Sequence, residues 1–162
     1  QLVVWTPMAL HGIDPKTGKS LWSQEFPLNF ALSISQPVHD PERQLLFVTA
    51  FYDGPMMMKL SETSPTASLL WKGKSKSEKK TDGLHSIMST PIVEGGYIYG
   101  VCSYGQLRCL QAETGERLWE TYEATGDGRW WNAFLVKHGD RTVIANEQGD
   151  LIFAKLSPEG YQ

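Results

Sequence analysis

A surplus of positive charge, a membrane-length apolar run, catalytic spacing and helical periodicity are all missing from this sequence. Fifteen lysines and arginines against eighteen acids leave a net charge of −3, the opposite of the basic surface that a general nucleic-acid binder carries. No apolar run reaches the roughly 18 residues that a membrane-spanning helix needs. The opening residues Gln1-Leu2-Val3-Val4-Trp5 have neither the charged start nor the apolar stretch of a signal peptide. Gln1 is not a start residue, so the chain is read as processed or as a piece of a longer protein, and a removed signal would leave no trace. Cysteine is scarce: Cys102 and Cys109 alone, without the CxxC spacing of a metal or redox motif. If a hairpin turns at Tyr104-Gly105, the two sulfurs lie on one face, one pair out of register. Two buried free thiols are favoured over a disulfide, because cysteine packs as a small hydrophobe. No two histidines have metal spacing, and no Gly-rich phosphate loop, Ser-His-Asp order or Gly-x-Ser-x-Gly elbow occurs.

What is present is ordinary globular composition, 41% hydrophobic and 20% charged, with six Trp, six Tyr and six Phe as anchors. One pattern occurs twice: Gly12-Ile13-Asp14-Pro15-Lys16-Thr17-Gly18-Lys19-Ser20-Leu21-Trp22, and Cys109-Leu110-Gln111-Ala112-Glu113-Thr114-Gly115-Glu116-Arg117-Leu118-Trp119. Each copy reads as a strand, a tight Thr-Gly turn whose glycine supplies positive φ, and a strand ending in Trp. Trp22, Trp71 and Trp119 fall 49 and 48 residues apart, and Pro37 and Pro91 are 54 apart. Short strands rich in β-branched and aromatic residues lie between turn clusters: Gln44–Phe51, Tyr97–Ser103, Gln106–Gln111, Arg141–Asn146 and Leu151–Leu156. Ser35–Val38, Ile87–Val93 and Trp131–Val136 read as shorter strands. A period in the forties to fifties with four short strands per unit is the signature of a β-propeller.

The expected fold is therefore all-β, a propeller of four-stranded antiparallel blades in one domain. Residues 1–26 (strand, turn, strand) end one blade, 27–71 and 72–119 form two more, and 120–162 an incomplete one. That is about three blades' worth of sheet, whereas propellers close with at least four. The chain is read as a fragment of a larger ring, or as one completed by oligomerisation, because raw strand edges are a liability.

The two copies closely match the tryptophan-docking repeat Ala-x-Asp-x-x-Thr-Gly-x-x-x-Trp. By them the chain resembles the quinoprotein-type, PQQ-like β-propeller repeat family of bacteria. That family includes the propeller lipoprotein of the outer-membrane assembly machinery and the pyrroloquinoline-quinone alcohol dehydrogenases. The first copy keeps Asp14, Thr17, Gly18 and Trp22. The second keeps Thr114, Gly115 and Trp119 but has Gln111 for the Asp, and residues 60–71 keep only Trp71. The resemblance implies that these tryptophans pack between neighbouring blades. The physical reading agrees, since a blade cannot bury both its faces alone and a Trp offers a large wedge.

The resemblance further implies a bacterial, periplasmic or secreted protein. The related dehydrogenases seat their quinone on a disulfide of adjacent cysteines beside a calcium held by Glu, Asn and Asp. Cys102 and Cys109 are not adjacent and no calcium-spaced loop is visible. No cofactor or metal is expected, and a quinone is admitted only with the rest of a parent ring.

Function is sought on loops held by a rigid scaffold. One propeller face combines the loops joining successive blades, here holding Asp82–Ser86 and Gly128–Asn132, with the mid-blade loops at Tyr52-Asp53, Ser103-Tyr104 and Glu147-Gln148. His85, Trp131, Asn132, Arg129, Tyr52 and Asp53 can converge there into a polar, aromatic-lined pocket, His85 being the one that titrates near neutrality. The plain alternative for each is a packed turn or channel residue. His39 and His138 fall on the opposite face, solvated. Lys72–Lys80, with five lysines, is taken as a mobile solvated loop rather than an anion site, and Met56-Met57-Met58 as core rather than a copper site. The favoured function is a non-enzymatic binding or scaffold propeller holding a protein or small ligand on this face. The alternative is part of a quinone-dependent alcohol dehydrogenase. A carbohydrate-acting propeller using Asp53, Asp82 or His85 is a weaker third reading.

Overall fold

The computed structural model describes residues 1–162. Almost every regular element is a strand. The first sheet holds β1 (Leu2–Trp5), β2 (Ala9–Ile13) and β3 (Ser20–Glu25). The second holds β4 (Val38–Asp40), β5 (Leu45–Ala50), β6 (Gly54–Leu60) and β7 (Ala67–Lys72). The third repeats it with β8 (Ile92–Glu94), β9 (Tyr97–Val101), β10 (Leu107–Gln111) and β11 (Arg117–Thr121). The fourth holds β12 (Ala133–His138), β13 (Arg141–Asn146) and β14 (Leu151–Ala154), followed by the two-residue strands β15 (Leu156–Ser157) and β16 (Gly160–Tyr161) paired with each other. Every sheet is an antiparallel meander in chain order, as expected for propeller blades.

Two details differ from the sequence reading. Residues 1–26 supply three strands rather than two, because Thr6-Pro7-Met8 reverses the chain and the Thr6 hydroxyl caps the reversal on Ala9. The short inner strands also start later. Residues Ser35–Pro37 and Ser89–Pro91 lie outside strands and cross-link successive loops instead. Ser35 Oγ donates to the Ser89 carbonyl at 3.1 Å, and the Gln36 amide to Thr90 Oγ1 at 3.2 Å. Pro37 and Pro91 have no N–H to add to a ladder, so β4 and β8 begin immediately after them.

The sheets stack face to face, which explains why β5 reads as an unbroken apolar run instead of an alternating one. Its two faces enter different cores. Leu46 and Val48, with Met56, Met58 and Leu60, meet Leu10 and Phe26 of the first sheet. Leu45 and Phe47, with Met57, meet Leu84, Ile98, Cys102 and Leu110 of the third unit. The methionine triplet is thus core, split between two interfaces by strand alternation. A third core joins Val101 and Leu107 to Ile144 and Ala154. The inner strands lie side by side, with Lys137 Nζ of β12 2.5 Å from Glu94 Oε2 of β8.

The tryptophans occupy one repeated geometry. Trp22, Trp71 and Trp119 pair across their sheets with Gly12, Met57 and Cys109, and each ladder slips by one residue immediately after that pair. The residue squeezed out is Leu21, Leu70 or Leu118 in turn, so each Leu-Trp dipeptide marks a β-bulge, which adds local twist. Trp71 then reaches forward. Its Nε1 donates to the Ala112 carbonyl at 2.8 Å, and its ring lies on Gly115, where φ is +75° and a Cβ would stand 2.9 Å from the indole. Trp119 Nε1 likewise donates to the Ser157 carbonyl at 2.8 Å. Trp22 differs: its Nε1 turns back to Gln1 Oε1 at 2.7 Å, and the next unit's corresponding turn, Ser61–Thr66, has no Thr-Gly.

The cysteines are both free and buried, but they lie on opposite faces of their hairpin. The connection is three residues, Ser103–Gly105, not the two-residue turn assumed from Tyr104-Gly105. Leu107 therefore pairs with Val101 and Cys109 with Tyr99, and a one-residue change of register exchanges the faces. Cys102 enters the core with Leu84 and Ile98, whereas Cys109 lies against Tyr99, where burial pushes its thiol up to about 11.

Candidate functional site

The inter-sheet loops 26–37, 73–91 and 122–132 meet the mid-sheet loops on one face. Their side chains divide into a buried group and a surface group. The buried group centres on His85, which has no exposure. Its Nδ1 is 3.1 Å from the Phe51 carbonyl and its Nε2 3.5 Å from Asp82 Oδ1. Gly54 gives the ring its place, since a Cβ there would stand 2.9 Å from Nε2. Burial pushes the His85 pKa down, partly offset by the Phe51 carbonyl and Asp82. Asp82 is itself held low: burial raises it, but the amides of Lys74 and Ser75 donate to Oδ2 at 2.6 and 3.0 Å and outweigh that. Behind His85, buried Arg108 donates to Thr81 Oγ1 at 2.7 Å, to the Gly83 carbonyl and to Cys102 Sγ, while its Nε reaches Glu120 at 3.0 Å. This group ties the loop 73–91 to the third sheet.

The surface group is a continuous ridge. Arg129 donates to Glu78 Oε2 at 2.7 Å and to the Tyr52 hydroxyl at 3.3 Å, and its guanidinium lies 4.6 Å from the Trp130 ring centre. Tyr104 donates to the other Glu78 oxygen at 2.8 Å. Tyr52 packs at 5.0 Å on Phe30. The ion pair with Arg129 holds Glu78 below the ordinary carboxylate range. Five separate loops meet in these contacts.

Of the six residues singled out from sequence, Arg129 and Tyr52 are brought together. His85 is not with them; it sits beneath Gly54. Asp53 is buried and turned onto Asn29, accepting its amide at 2.8 Å and its side-chain nitrogen at 2.9 Å. Trp131 covers Gly105, Gly126 and Gly128, and Asn132 is buried beside it in sequence. None of the six lines a cavity, so the expected convergence into a pocket is replaced by a packed support and an exposed ridge. The largest cavity, 380 Å³, is a groove between the second and third sheets lined by Trp71, Lys72, Lys74, Asp82 and Thr114. Sequence reasoning missed Glu78 and Phe30. Glu78 is the one acid inside the lysine run, and that oddity was its signal. The run is laid along the face rather than free in solvent: Ser103 Oγ donates to the Glu78 carbonyl at 2.6 Å, and Ser75 Oγ to that of Lys80 at 2.6 Å.

A family model described as outer membrane protein assembly factor BamB matches residues 2–157. The chain belongs to the BamB family. Among solved structures, it is similar to BamB from Moraxella catarrhalis, with a TM-score of 0.54 and 15% sequence identity over 96% of this chain and 52% of that one. At that identity the likeness is one of fold, a β-propeller. This BamB-family chain spans about half the length of the solved one. No curated protein matches it.

The resemblance to quinone-dependent relatives can be tested on the thiols. A disulfide platform needs two adjacent cysteines, and here the two lie on opposite faces of one hairpin. The residues present do not fit that quinone seat.

Proposed function

We propose that this chain is part of a non-enzymatic scaffold propeller that holds a protein partner on its loop face, in the bacterial periplasm or at the outer membrane. The observation that carries the reading is the ridge Phe30–Tyr52–Arg129–Trp130 with Glu78 and Tyr104. Large aromatic side chains and a locked arginine are the composition of interface hot spots, and loops on a rigid frame are where binding concentrates. BamB-family membership supports a protein partner in general and a periplasmic or outer-membrane setting. In this reading Trp71 and Trp119, with the Thr114-Gly115 turn, dock one blade on the next and keep the loops in register. Trp22 packs against the core shared by the first and second sheets, while Thr17 and Gly18 shape the turn that precedes it.

The test is site-directed photocrosslinking in the full-length parent protein expressed in a bacterial periplasm. A crosslinker at Tyr52 or Trp130 is expected to give protein adducts, and one at His138 on the opposite face none. Equal labelling from both faces would sink the assignment. Addition of pyrroloquinoline quinone and calcium to the same protein is expected to give neither quinone absorbance nor dye-linked alcohol oxidation.

A further inference from the structure

We infer that the loop-face ridge recognises an acidic segment of a partner protein that carries aromatic side chains. The inference rests on the protein-binding reading above and names the chemistry of what binds. It starts from backbone strain. Phe30 and Trp130 take left-handed φ values of 58° and 69°, a conformation that large side chains rarely adopt. Strain of this kind persists only where the surroundings impose it, and it concentrates at functional sites. Here it does not hide the rings. Phe30 is 78% exposed and Trp130 49%.

Both segments are pinned from below. Buried Asp53 grips Asn29 through backbone and side chain, fixing the residue before Phe30. The Trp130 amide donates to the Ser103 carbonyl at 3.1 Å. Asp53 and Ser103 are thus positioning residues for two exposed aromatics, and Arg129, bonded on one side and stacked on the other, joins them into one rigid strip. Preorganised rings and a fixed guanidinium lose little freedom on binding.

Charge decides the partner's chemistry. Lys74, Lys76, Lys79 and Lys80 are exposed, and none has a carboxylate within ion-pair distance. The one acid of that segment, Glu78, is already shared by Arg129 and Tyr104. Lys79 stands 5.8 Å over the Tyr104 ring, so the unpaired cations begin at the edge of the ridge. A chain of net charge −3 therefore presents a local positive field beside exposed aromatics. Complementary charge steers and selects partners. The ridge lines no cavity, which suits an extended polypeptide better than a small ligand.

The experiment uses full-length protein and two soluble probes, a random glutamate–tyrosine copolymer and poly-glutamate, followed by fluorescence anisotropy. The copolymer is expected to bind about tenfold more tightly than poly-glutamate, as loss of aromatic hot-spot contacts implies, and to weaken with salt. The double variant Phe30→Ala/Trp130→Ala is expected to abolish the preference for the copolymer. Lys79→Glu/Lys80→Glu is expected to weaken both probes about tenfold, since like charge now faces like. Unchanged thermal unfolding shows that either variant is folded, and Lys155→Glu on another surface should leave binding unaltered. Equal affinity for the two polymers overturns the inference. So does binding to vesicles of phosphatidylglycerol and phosphatidylethanolamine without binding to the copolymer, which would make the ridge a lipid contact. If photocrosslinks form at Tyr52 or Trp130 while the copolymer fails, the acidic-aromatic assignment falls and the protein-binding reading stands.

Discussion

Gly115 and Trp71 share one contact that leaves no room for a side chain. With φ at +75° and the indole 2.9 Å from where a Cβ would stand, Gly115→Ala meets both strain and a clash. A loss of about 1–3 kcal/mol is expected from the backbone alone, read by urea unfolding. Trp71→Phe keeps most of the packing but strands the Ala112 carbonyl, for a loss of about 1 kcal/mol. His85 gives a pH prediction. Its folded pKa lies below the ordinary 6.5 because burial disfavours the charged ring, so the unfolded chain binds the proton more readily. Stability is then full above pH 6.5 and falls as pH drops from 6.5 towards the folded value. The slope should disappear in His85→Gln, with unfolding midpoints measured across that window. The cysteines should be inert to a thiol reagent at pH 8 until denaturant is added, since Cys109 titrates at about 11 and Cys102 is enclosed.

At the scale of elements, the loop 73–91 is held at a few points, and Asp82 is the main one. Asp82→Ala removes the acceptor for the Lys74 and Ser75 amides and one neighbour of His85. Trypsin is then expected to cut among Lys74–Lys80 several-fold faster than in the parent chain, because local opening precedes cleavage. A cutting rate equal to the parent's would show that Ser103 and Arg129 hold the loop alone. The strand order was legible in the sequence because the Leu-Trp dipeptides, the Thr-Gly turns and the proline spacing repeat with the units. The register of the cysteine hairpin was not. It depends on whether two or three residues make the turn, and one residue reverses every face. The ridge was legible only in part. Arg129 and Tyr52 stood out as polar or aromatic residues on the right loops, whereas Phe30 is displayed by a left-handed backbone that Asp53 imposes through Asn29, 24 residues away in sequence, and no local pattern announces such a contact. Glu78 was hidden by the lysines around it.

For the whole molecule, the last sheet is the exposed end of a stack. Phe134, Val136, Leu151 and Phe153 are 56 to 65% exposed, and the register puts all four on one face of β12–β14. Their counterparts on the second and third sheets are buried against a following sheet. The isolated 162-residue chain is accordingly expected to self-associate through this face, and Val136→Lys/Phe153→Lys to return it to the monomer. Sedimentation over a range of concentrations measures this, and a monomeric parent chain at every concentration would contradict it.

The forward reach of the tryptophans also bears on how the chain is made. Trp71 donates to a carbonyl 41 residues ahead and Trp119 to one 38 ahead, while synthesis delivers the chain from its N-terminus. The second and third sheets therefore leave the ribosome with their indoles unplaced, and each waits for about one further unit to emerge before its ring has anything to close on. The direction of the joint makes the growing end of the nascent chain its least finished part at every moment of translation.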